Sequence, residues 1–334
     1  MSGILGSTLY KDGKPLWAPT ASTVFSAVVS LGRSLSQLRI QDDSPDSADL
    51  GDGVVARDLV PDIHLIPGYW KIDGYGSIRE LVQSNFHLHA GKNYFEFPYD
   101  WRRDNRAAAR GLQRLAEQSL SKWQKESGNS KSKVILFCHS MGGLIARYFL
   151  EVLGGWRITR ALVTFGTPYR GSVKALDYLV HGYRQNAPIT QVELTQVSEL
   201  VRTLTSAYQL LPIYKCCTAG DGKQIHLTDL SVIPNLNMDR ARAGLKFHEE
   251  IKEHAAQNNK DAQYIQYELL PIIGIQQPTA VAIQVASGRF ETVVQDGTDG
   301  GDGTVPSRLR KKRFWPAFDG RNYALWCLLS SYEY

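Results

Sequence analysis

Ser140 lies in a sequence context that is typical of a catalytic nucleophile. The stretch "KVILFCHSMGGLIARYFL" (residues 133–150) is apolar before this serine and has helical spacing after it. In a nucleophile elbow a buried strand ends in a sharp turn, the serine occupies the tip, and a helix begins immediately afterwards. Such a turn needs small neighbours, which Gly142 and Gly143 provide. The usual first glycine is replaced by Cys138, which is also small.

The elements that must position this serine follow from the pattern of apolar residues. From residue 62 onward short apolar runs alternate with longer helical patterns, which predicts a parallel sheet with helical crossovers. Apolar residues three and four positions apart in residues 104–126 predict a helix that covers this sheet. The predicted strands are "DIHLIP" (62–67), "NYFEFP" (93–98), "KVILFC" (133–138), "ALVTFG" (161–166) and "YELLPIIGI" (267–275).

A long insertion separates the last two of these strands. It spans roughly 90 residues with helix-like stretches, which is too long for an ordinary connection. We therefore predict a single α/β domain over residues 1–334, with a helical cap at about 172–265. Residues 41–53 are polar and are expected to form an exposed loop.

Seven motifs resemble those of the lecithin:cholesterol acyltransferase-like branch of the α/β hydrolases, which also includes lysosomal phospholipase A2 and phospholipid:diacylglycerol acyltransferases. They occur in the order of that family. The resemblance implies an α/β-hydrolase fold, with a mostly parallel sheet and helices on both of its faces. The motifs are "GILGSTL" (3–9), "IPGYW" (66–70), "PYDWR" (98–102), "CHSMGG" (138–143), "FGTPYRGS" (165–172), "YQLLP" (208–212) and "GDGTVP" (301–306).

The resemblance also assigns catalytic roles by position. It implies that Ser140 is the nucleophile and that Asp302 is the acid that orients a catalytic histidine. The backbone N–H groups of Ile4 and Met141 correspond to the oxyanion hole of the family. Such donors meet the charge that develops on the substrate oxygen in the transition state.

Other residues near these motifs have weaker assignments. Tyr69 and Trp70 stand where the family has a mobile segment near the site, so they are candidates for the wall of an acyl pocket or for simple packing. Asp296 and Asp299 are alternative acids, but only Asp302 occupies the "GDGTV" frame.

Four further residues are predicted to be structural. Asp100 and Arg102 in "PYDWR" are expected to form an ion pair, and Trp101 to lie in the core or the pocket wall. His139 is expected to point away from the hydroxyl of its neighbour in such a turn.

Two departures from the family pattern affect the expected activity. Ser2 stands where the family has the proline that ends a buried strand, so we expect the first strand to be incomplete. All eight histidines precede Asp302, whereas the triad of this fold runs Ser, Asp, His. Three explanations stay open: a replaced C-terminal region after about Ser307, a histidine recruited from the cap (His181 or His226), and a protein that binds without turnover.

The sequence therefore predicts serine-dependent acyl transfer or hydrolysis on a lipid or other acyl ester, with no metal or cofactor, and leaves activity open. The alternative is an inactive hydrolase remnant that binds lipid or protein. Oligomeric state is not predicted.

Composition limits the class of protein. Hydrophobic residues make up 43% and charged residues 21% of the chain, which excludes disordered and collagen-like classes. A net charge of +5 comes partly from a basic run at 308–313, and no basic cluster interleaves with aromatics as a nucleic-acid surface would.

No segment reaches the roughly 18 apolar residues of a membrane span. Peripheral contact with a lipid surface is compatible with this composition. The four cysteines lack metal-ligand spacing, and without a signal-peptide pattern we expect a reducing, cytoplasmic location.

Overall fold

Antiparallel strands form in the first part of the chain. The computed structural model describes residues 1–18, 36–61, 63–66, 70–72, 75–182, 191–286, 289–297 and 300–306. A small sheet has the order β2–β1–β3, and a separate hairpin pairs β4 with β5. The bounds are β1 (Ser7–Lys11), β2 (Lys14–Trp17), β3 (Val54–Leu59), β4 (Ile63–Ile66) and β5 (Trp70–Ile72).

The middle of the chain provides the strand, turn and helix around Ser140, and the region after it is mainly helical. The bounds are α1 (Gly76–Asn85), α2 (Asn105–Ser127), β6 (Val134–His139), α3 (Met141–Glu151), β7 (Thr159–Phe165), α4 (Val173–His181), α5 (Gln191–Val201), α6 (Thr205–Tyr208), β8 (Cys217–Thr218), β9 (Gln224–Ile225) and α7 (Met238–Asn258). Short 3₁₀ turns lie at Gly155–Arg157 and Leu227–Asp229.

The last described strands complete two sheets. β10 (Glu268–Ile272) joins a parallel sheet in the order β10–β7–β6. β11 (Thr279–Ala286) and β12 (Arg289–Gln295) form a hairpin in a sheet with the order β12–β11–β8–β9. Three of the predicted strands, at 133–138, 161–166 and 267–275, thus form the predicted parallel sheet. The predicted strand at 62–67 is not part of it, because β4 pairs antiparallel with β5.

The helix predicted at 104–126 is α2, and local signals set its ends. The Asp104 side chain accepts a hydrogen bond from the Arg106 backbone nitrogen at 2.8 Å, so it caps the helix start. Gly128 ends the helix in the left-handed conformation that glycine adopts readily. Leu112 and Ala116 on the predicted apolar face are buried.

The parallel sheet is covered unevenly by the described residues. On the face toward α3, Leu136, Cys138 and Leu162 are almost completely buried. On the opposite face, Ile135 is 50% exposed and Phe137 is 39% exposed. Helices on both faces were predicted, and within the described part of the chain the second face is open at these two side chains.

The predicted strand at 93–98 is wrong. These residues form a single bridge, between Ala90 and Tyr94, and no strand. A strand needs a neighbour for its backbone groups. Among the described strands, none pairs with this segment, so an apolar run with the right length stays irregular.

The predicted cap region contains α4 to α7, and its role as a lid stays a prediction. Its last helix, α7, contacts α3, and Phe247 of α7 stacks on Tyr148 of α3 with ring centroids 5.5 Å apart. Within the described part of the chain, no helix is both long enough and apolar enough to cross a membrane.

A buried ion pair fixes the loop before α2, as the sequence predicted. The Arg102 side chain is fully buried, and its Nη2 donates to Asp100 Oδ2 at 2.6 Å and to Asp52 Oδ2 at 2.9 Å. Removing one partner of a buried pair leaves an uncompensated charge.

We expect Asp100→Ala to lower the free energy of unfolding by about 3 kcal/mol, because Arg102 then keeps only Asp52 as a partner. Urea unfolding measures this loss. Asp239→Ala is the matched control, since its ion pair with Arg242 lies on the surface and should contribute almost nothing. Equal losses in the two variants would contradict the buried role of Asp100.

His248 on α7 is a buried neutral base. Its Nε2 lies 2.8 Å from the Gln209 carbonyl oxygen, so Nε2 carries the proton and donates. Burial lowers the pKa of His248 to about 4, and the charge of Arg106 also lowers it.

The unfolded chain therefore binds a proton at His248 at a higher pH than the folded chain. We expect stability to fall as the pH drops from about 6.5 to about 4, by on the order of 3 kcal/mol from this group. Urea unfolding at several pH values measures the slope. His248→Gln keeps a donor for Gln209 but cannot titrate, so an unchanged slope in that variant would rule out His248 as the cause.

Candidate active site

Ser140 occupies a sharp turn between β6 and α3. Its backbone has φ 50° and ψ −123°, a conformation that residues other than glycine rarely adopt. Two contacts hold it: the Ser140 nitrogen donates to the Phe165 carbonyl at 2.8 Å, and Thr167 Oγ1 donates to the Ser140 carbonyl at 3.0 Å. This is the strand, strained turn and helix of a nucleophile elbow.

The residues around this turn must be small. A Cβ on Gly142 would lie 2.5 Å from the Ser2 carbonyl oxygen, and a Cβ on Gly143 would lie 2.1 Å from Thr167 Oγ1. No side chain fits at either position without a shift of its neighbours. Cys138, in place of the usual first glycine, is buried in regular strand pairing with β7, and burial raises the pKa of its thiol to about 11.

The segment before β1 packs directly on the nucleophile. A Cβ on Gly3 would lie 2.9 Å from Ser140 Cβ and 3.3 Å from Ser140 Oγ. The Gly6 nitrogen donates to the Gly3 carbonyl at 3.1 Å, which closes a turn with Leu5 at φ 62°. We call residues 1–6 the oxyanion loop.

The backbone N–H groups that are predicted to bind the oxyanion have no hydrogen-bond acceptor among the described residues. No described group accepts a hydrogen bond from the backbone nitrogens of Ile4 or Met141. Met141 is the first residue of α3, where the first N–H groups of a helix have no partner inside it. Their role in binding an oxyanion stays a prediction.

The oxyanion loop is also tied to the free edge of β6. The Met1 nitrogen donates to the Phe137 carbonyl at 3.0 Å, and the His139 nitrogen donates to the Met1 carbonyl at 3.1 Å. Trp101 lies in the core, and its Nε1 donates to the Ser7 carbonyl at 2.9 Å. Backbone pairing with β6 thus fixes this loop beside the nucleophile, and the "PYDWR" segment fixes the start of β1 that follows it.

Asp302 lies at the carboxyl edge of the same parallel sheet. Its Oδ1 accepts hydrogen bonds from the backbone nitrogens of Thr304 at 2.9 Å and Val305 at 2.7 Å. Its Oδ2 lies 2.9 Å from the position that a Cβ of Gly166 would occupy, directly after β7. Because Ser140 follows the neighbouring strand β6, the sheet brings nucleophile and predicted acid to one edge.

The chain reaches Asp302 by a longer path than the sequence suggested. The β11–β12 hairpin lies between β10 and Asp302. Gln277 and Gly301 exchange two backbone hydrogen bonds, at 2.9 and 3.0 Å, and so close the base of the segment that contains this hairpin. A Cβ on Gly274 would lie 2.6 Å from Asp302 Cβ, so the acid returns to the end of β10.

His139 is held by Tyr75. The Tyr75 hydroxyl lies 2.8 Å from His139 Nδ1, and the two rings meet edge to face at 5.8 Å. Desolvation of the ring lowers the pKa of His139, and the negative charge of Asp302 opposes this shift. Tyr75 therefore engages Nδ1 of His139, and the structural role expected for this histidine stays a prediction.

The two cap histidines are bonded elsewhere. His181 Nδ1 lies 2.7 Å from Asp177 Oδ1, one turn earlier on α4. His226 caps the 3₁₀ turn that follows it. The structure gives neither side chain a contact with the nucleophile or the predicted acid.

The remaining predicted residues stay untested. Tyr69 and Asp299 lie outside the described residues. Trp70 is the first residue of β5. Asp296 follows β12, and its Oδ1 accepts a hydrogen bond from the Gly297 nitrogen at 2.7 Å.

Tyr75 and Tyr99 were not predicted from the sequence, although both hydroxyls contact the oxyanion loop. Tyr99 belongs to the "PYDWR" motif, so a tyrosine in a family motif was the available signal. Tyr75 lies outside the motifs and had none. The structure also describes no group of three or more His, Cys, Asp or Glu side chains, within the described ranges, that is arranged to hold a metal ion.

We expect Gly143→Ala to lower the free energy of unfolding by about 1–3 kcal/mol, because the new methyl group would overlap Thr167 where packing is already tight. Chemical denaturation measures the loss. Gly220→Ala is the control, since no atom lies within 4 Å of its added Cβ. A neutral Gly143→Ala would show that the turn tolerates a wider separation of α3 from Thr167.

Three comparisons relate this chain to known proteins. A human (Homo sapiens) relative, "Lysosomal phospholipase A and acyltransferase", is 31% identical over 118 residues, which cover 34% of this chain and 27% of that protein. A solved structure described as "The crystal structure of Tle4-Tli4 complex" matches with a TM-score of 0.55 and 16% identity, and covers 91% of this chain and 86% of that chain. The structural likeness concerns the fold alone, and it confirms the predicted α/β-hydrolase fold.

The family model described as "Lecithin:cholesterol acyltransferase" matches residues 68–307, most of the chain. This range contains both Ser140 and Asp302. The chain therefore belongs to the lecithin:cholesterol acyltransferase family.

Proposed function

We propose that this protein transfers an acyl group from a lipid ester through an acyl-Ser140 intermediate, with water or an alcohol as the acceptor. The turn at Ser140 carries this proposal, because a strained backbone at a strand-to-helix junction places the hydroxyl at the tip. The free N–H groups of Ile4 and Met141 and the nearby carboxylate of Asp302 support it.

The chemistry has two balanced steps. Ser140 Oγ attacks the ester carbonyl, the C–O bond to the leaving alcohol breaks, and the hydroxyl proton ends on that alcohol. Negative charge that develops on the carbonyl oxygen is met by the two N–H donors. Water or a second alcohol then attacks the acyl carbonyl, the C–O bond to Ser140 breaks, and the proton of the attacking group returns to Ser140 Oγ as a fatty acid or a new ester leaves.

The substrate class follows from the family and from the relative named as a phospholipase and acyltransferase. The oxyanion loop presents an apolar side chain, Leu5, which is 42% exposed directly after Ile4. We infer that this side chain contacts acyl chains or a lipid surface when an ester approaches Ser140.

One observation favours a second candidate function, lipid binding without turnover. A serine needs a base to take its proton. Among the described histidines, His139 is bonded to Tyr75, while His181 and His226 have partners outside the site. A hydrolase fold without an available base could still bind a lipid ester but could not activate its serine.

The two candidates differ in the reactivity of Ser140. We expect a fluorophosphonate to add once to the folded chain and Ser140→Ala to abolish the adduct, as read by intact mass. In parallel, phosphatidylcholine vesicles with and without a long-chain alcohol report fatty acid or acyl ester as product.

Ser206→Ala serves as the matched control, because Ser206 is buried and its hydroxyl donates to the Trp101 carbonyl, away from the proposed chemistry. An adduct and product release that both depend on Ser140 support acyl transfer. A folded chain that binds the vesicles and forms neither adduct nor product supports the binding role and contradicts the enzymatic one.

A further inference from the structure

Two tyrosine hydroxyls contact the two ends of one peptide group in the oxyanion loop. The Tyr99 hydroxyl donates to the Ser2 carbonyl oxygen at 3.0 Å. The Gly3 nitrogen donates to the Tyr75 hydroxyl at 2.8 Å. The Ser2 carbonyl and the Gly3 N–H belong to the same peptide unit, so its oxygen and its nitrogen are each held by a side chain from elsewhere in the chain.

The directions of the two hydrogen bonds to the peptide are fixed by chemistry, because an N–H donates and a carbonyl accepts. A hydroxyl has one proton and two lone pairs. Because the Tyr75 hydroxyl accepts from Gly3, its own proton is available for His139 Nδ1 at 2.8 Å. Burial raises the pKa of Tyr75 to about 12 and that of Tyr99 well above its usual value of 10, so both hydroxyls keep their protons at neutral pH.

Both tyrosines are themselves anchored. Tyr99 is buried, its backbone nitrogen donates to Ser7 Oγ at 3.1 Å, and its ring stacks on Phe97 with centroids 6.0 Å apart. The Tyr75 backbone nitrogen donates to the Val60 carbonyl at 3.1 Å, directly after β3. The two hydroxyls are therefore presented by fixed backbone on different elements.

The held peptide lies directly before a predicted oxyanion donor. Glycine at position 3 has no side chain to limit rotation of its peptide groups. The next peptide unit, which joins Gly3 to Ile4, is fixed by the hydrogen bond from the Gly6 nitrogen to the Gly3 carbonyl. With the Ser2–Gly3 unit held as well, the direction of the Ile4 N–H is determined beside Ser140.

We propose that Tyr75 and Tyr99 are positioning residues that clamp the Ser2–Gly3 peptide and so aim the Ile4 N–H at the oxyanion that forms on the ester carbonyl when Ser140 attacks it. The catalytic part of this proposal rests on the proposed acyl transfer. The clamp itself rests only on the geometry of the loop.

Tyr75→Phe and Tyr99→Phe remove one hydroxyl each and keep the rings. We expect kcat to fall about tenfold in each, less than the loss of a whole oxyanion donor, with KM changed less than about twofold. Both parameters are measured with the same phosphatidylcholine vesicles, at a temperature where thermal unfolding shows every variant to be folded. Tyr94→Phe is the control, since that hydroxyl donates to Glu96 and does not contact the loop.

The double variant tests whether the two hydroxyls act on one group. Because both hold the same peptide, we expect Tyr75→Phe with Tyr99→Phe to be little slower than the slower single variant, rather than the product of both losses. A fully multiplicative loss would show that the two residues act separately and would overturn the clamp.

A second readout does not depend on turnover. Hydrogen exchange of the peptide that covers residues 1–9, read by mass spectrometry, should become faster in both single variants and stay unchanged in Tyr94→Phe. If the wild-type protein forms no Ser140 adduct, the proposed function is refuted. The hydrogen-exchange rates then still test whether the two tyrosines hold the peptide. Unchanged exchange, or an active wild type with unchanged kcat in both variants, overturns the positioning role.

Discussion

The left-handed backbone of Ser140 is the constraint on which the surrounding structure depends. An L-residue holds this conformation only when its neighbours impose it, and here Phe165 and Thr167 bind its nitrogen and its carbonyl. The same turn brings α3 so close that Gly142 and Gly143 have no room for a side chain. The oxyanion loop then fills the remaining space, so the site is determined by close backbone approach more than by side-chain contacts.

Features with local causes could be predicted from the sequence. The elbow is encoded by one apolar strand, one serine and the small residues after it. Helix α2 is encoded by its cap at Asp104, its apolar face and the glycine at its end. The order of the family motifs predicted that Ser140 and Asp302 belong to one site, and the parallel sheet brings their two loops to the same edge.

Features that depend on distant partners could not be predicted. The run at 93–98 has the composition of a strand, but strand formation needs a neighbouring backbone that the local sequence does not specify. The β11–β12 hairpin pairs with β8, far earlier in the chain. The hydroxyls of Tyr75 and Tyr99 meet one peptide only because three separate segments converge, and neither residue type nor spacing indicates such a meeting.

The site joins residues from both ends of the described chain, which has a consequence for the order of folding. The approach of Gly3 to Ser140 and that of Asp302 to Gly166 close very long loops, and such contacts form later than helices and neighbouring strands. The β6 turn and α3 depend on contacts with β7 and Thr167, which close much shorter loops, so we infer that they form first. A chain still leaving the ribosome would thus carry a shaped nucleophile turn without its acid. Reactivity toward esters would then arise only at the end of folding, once residues 1–6 and Asp302 have joined the turn.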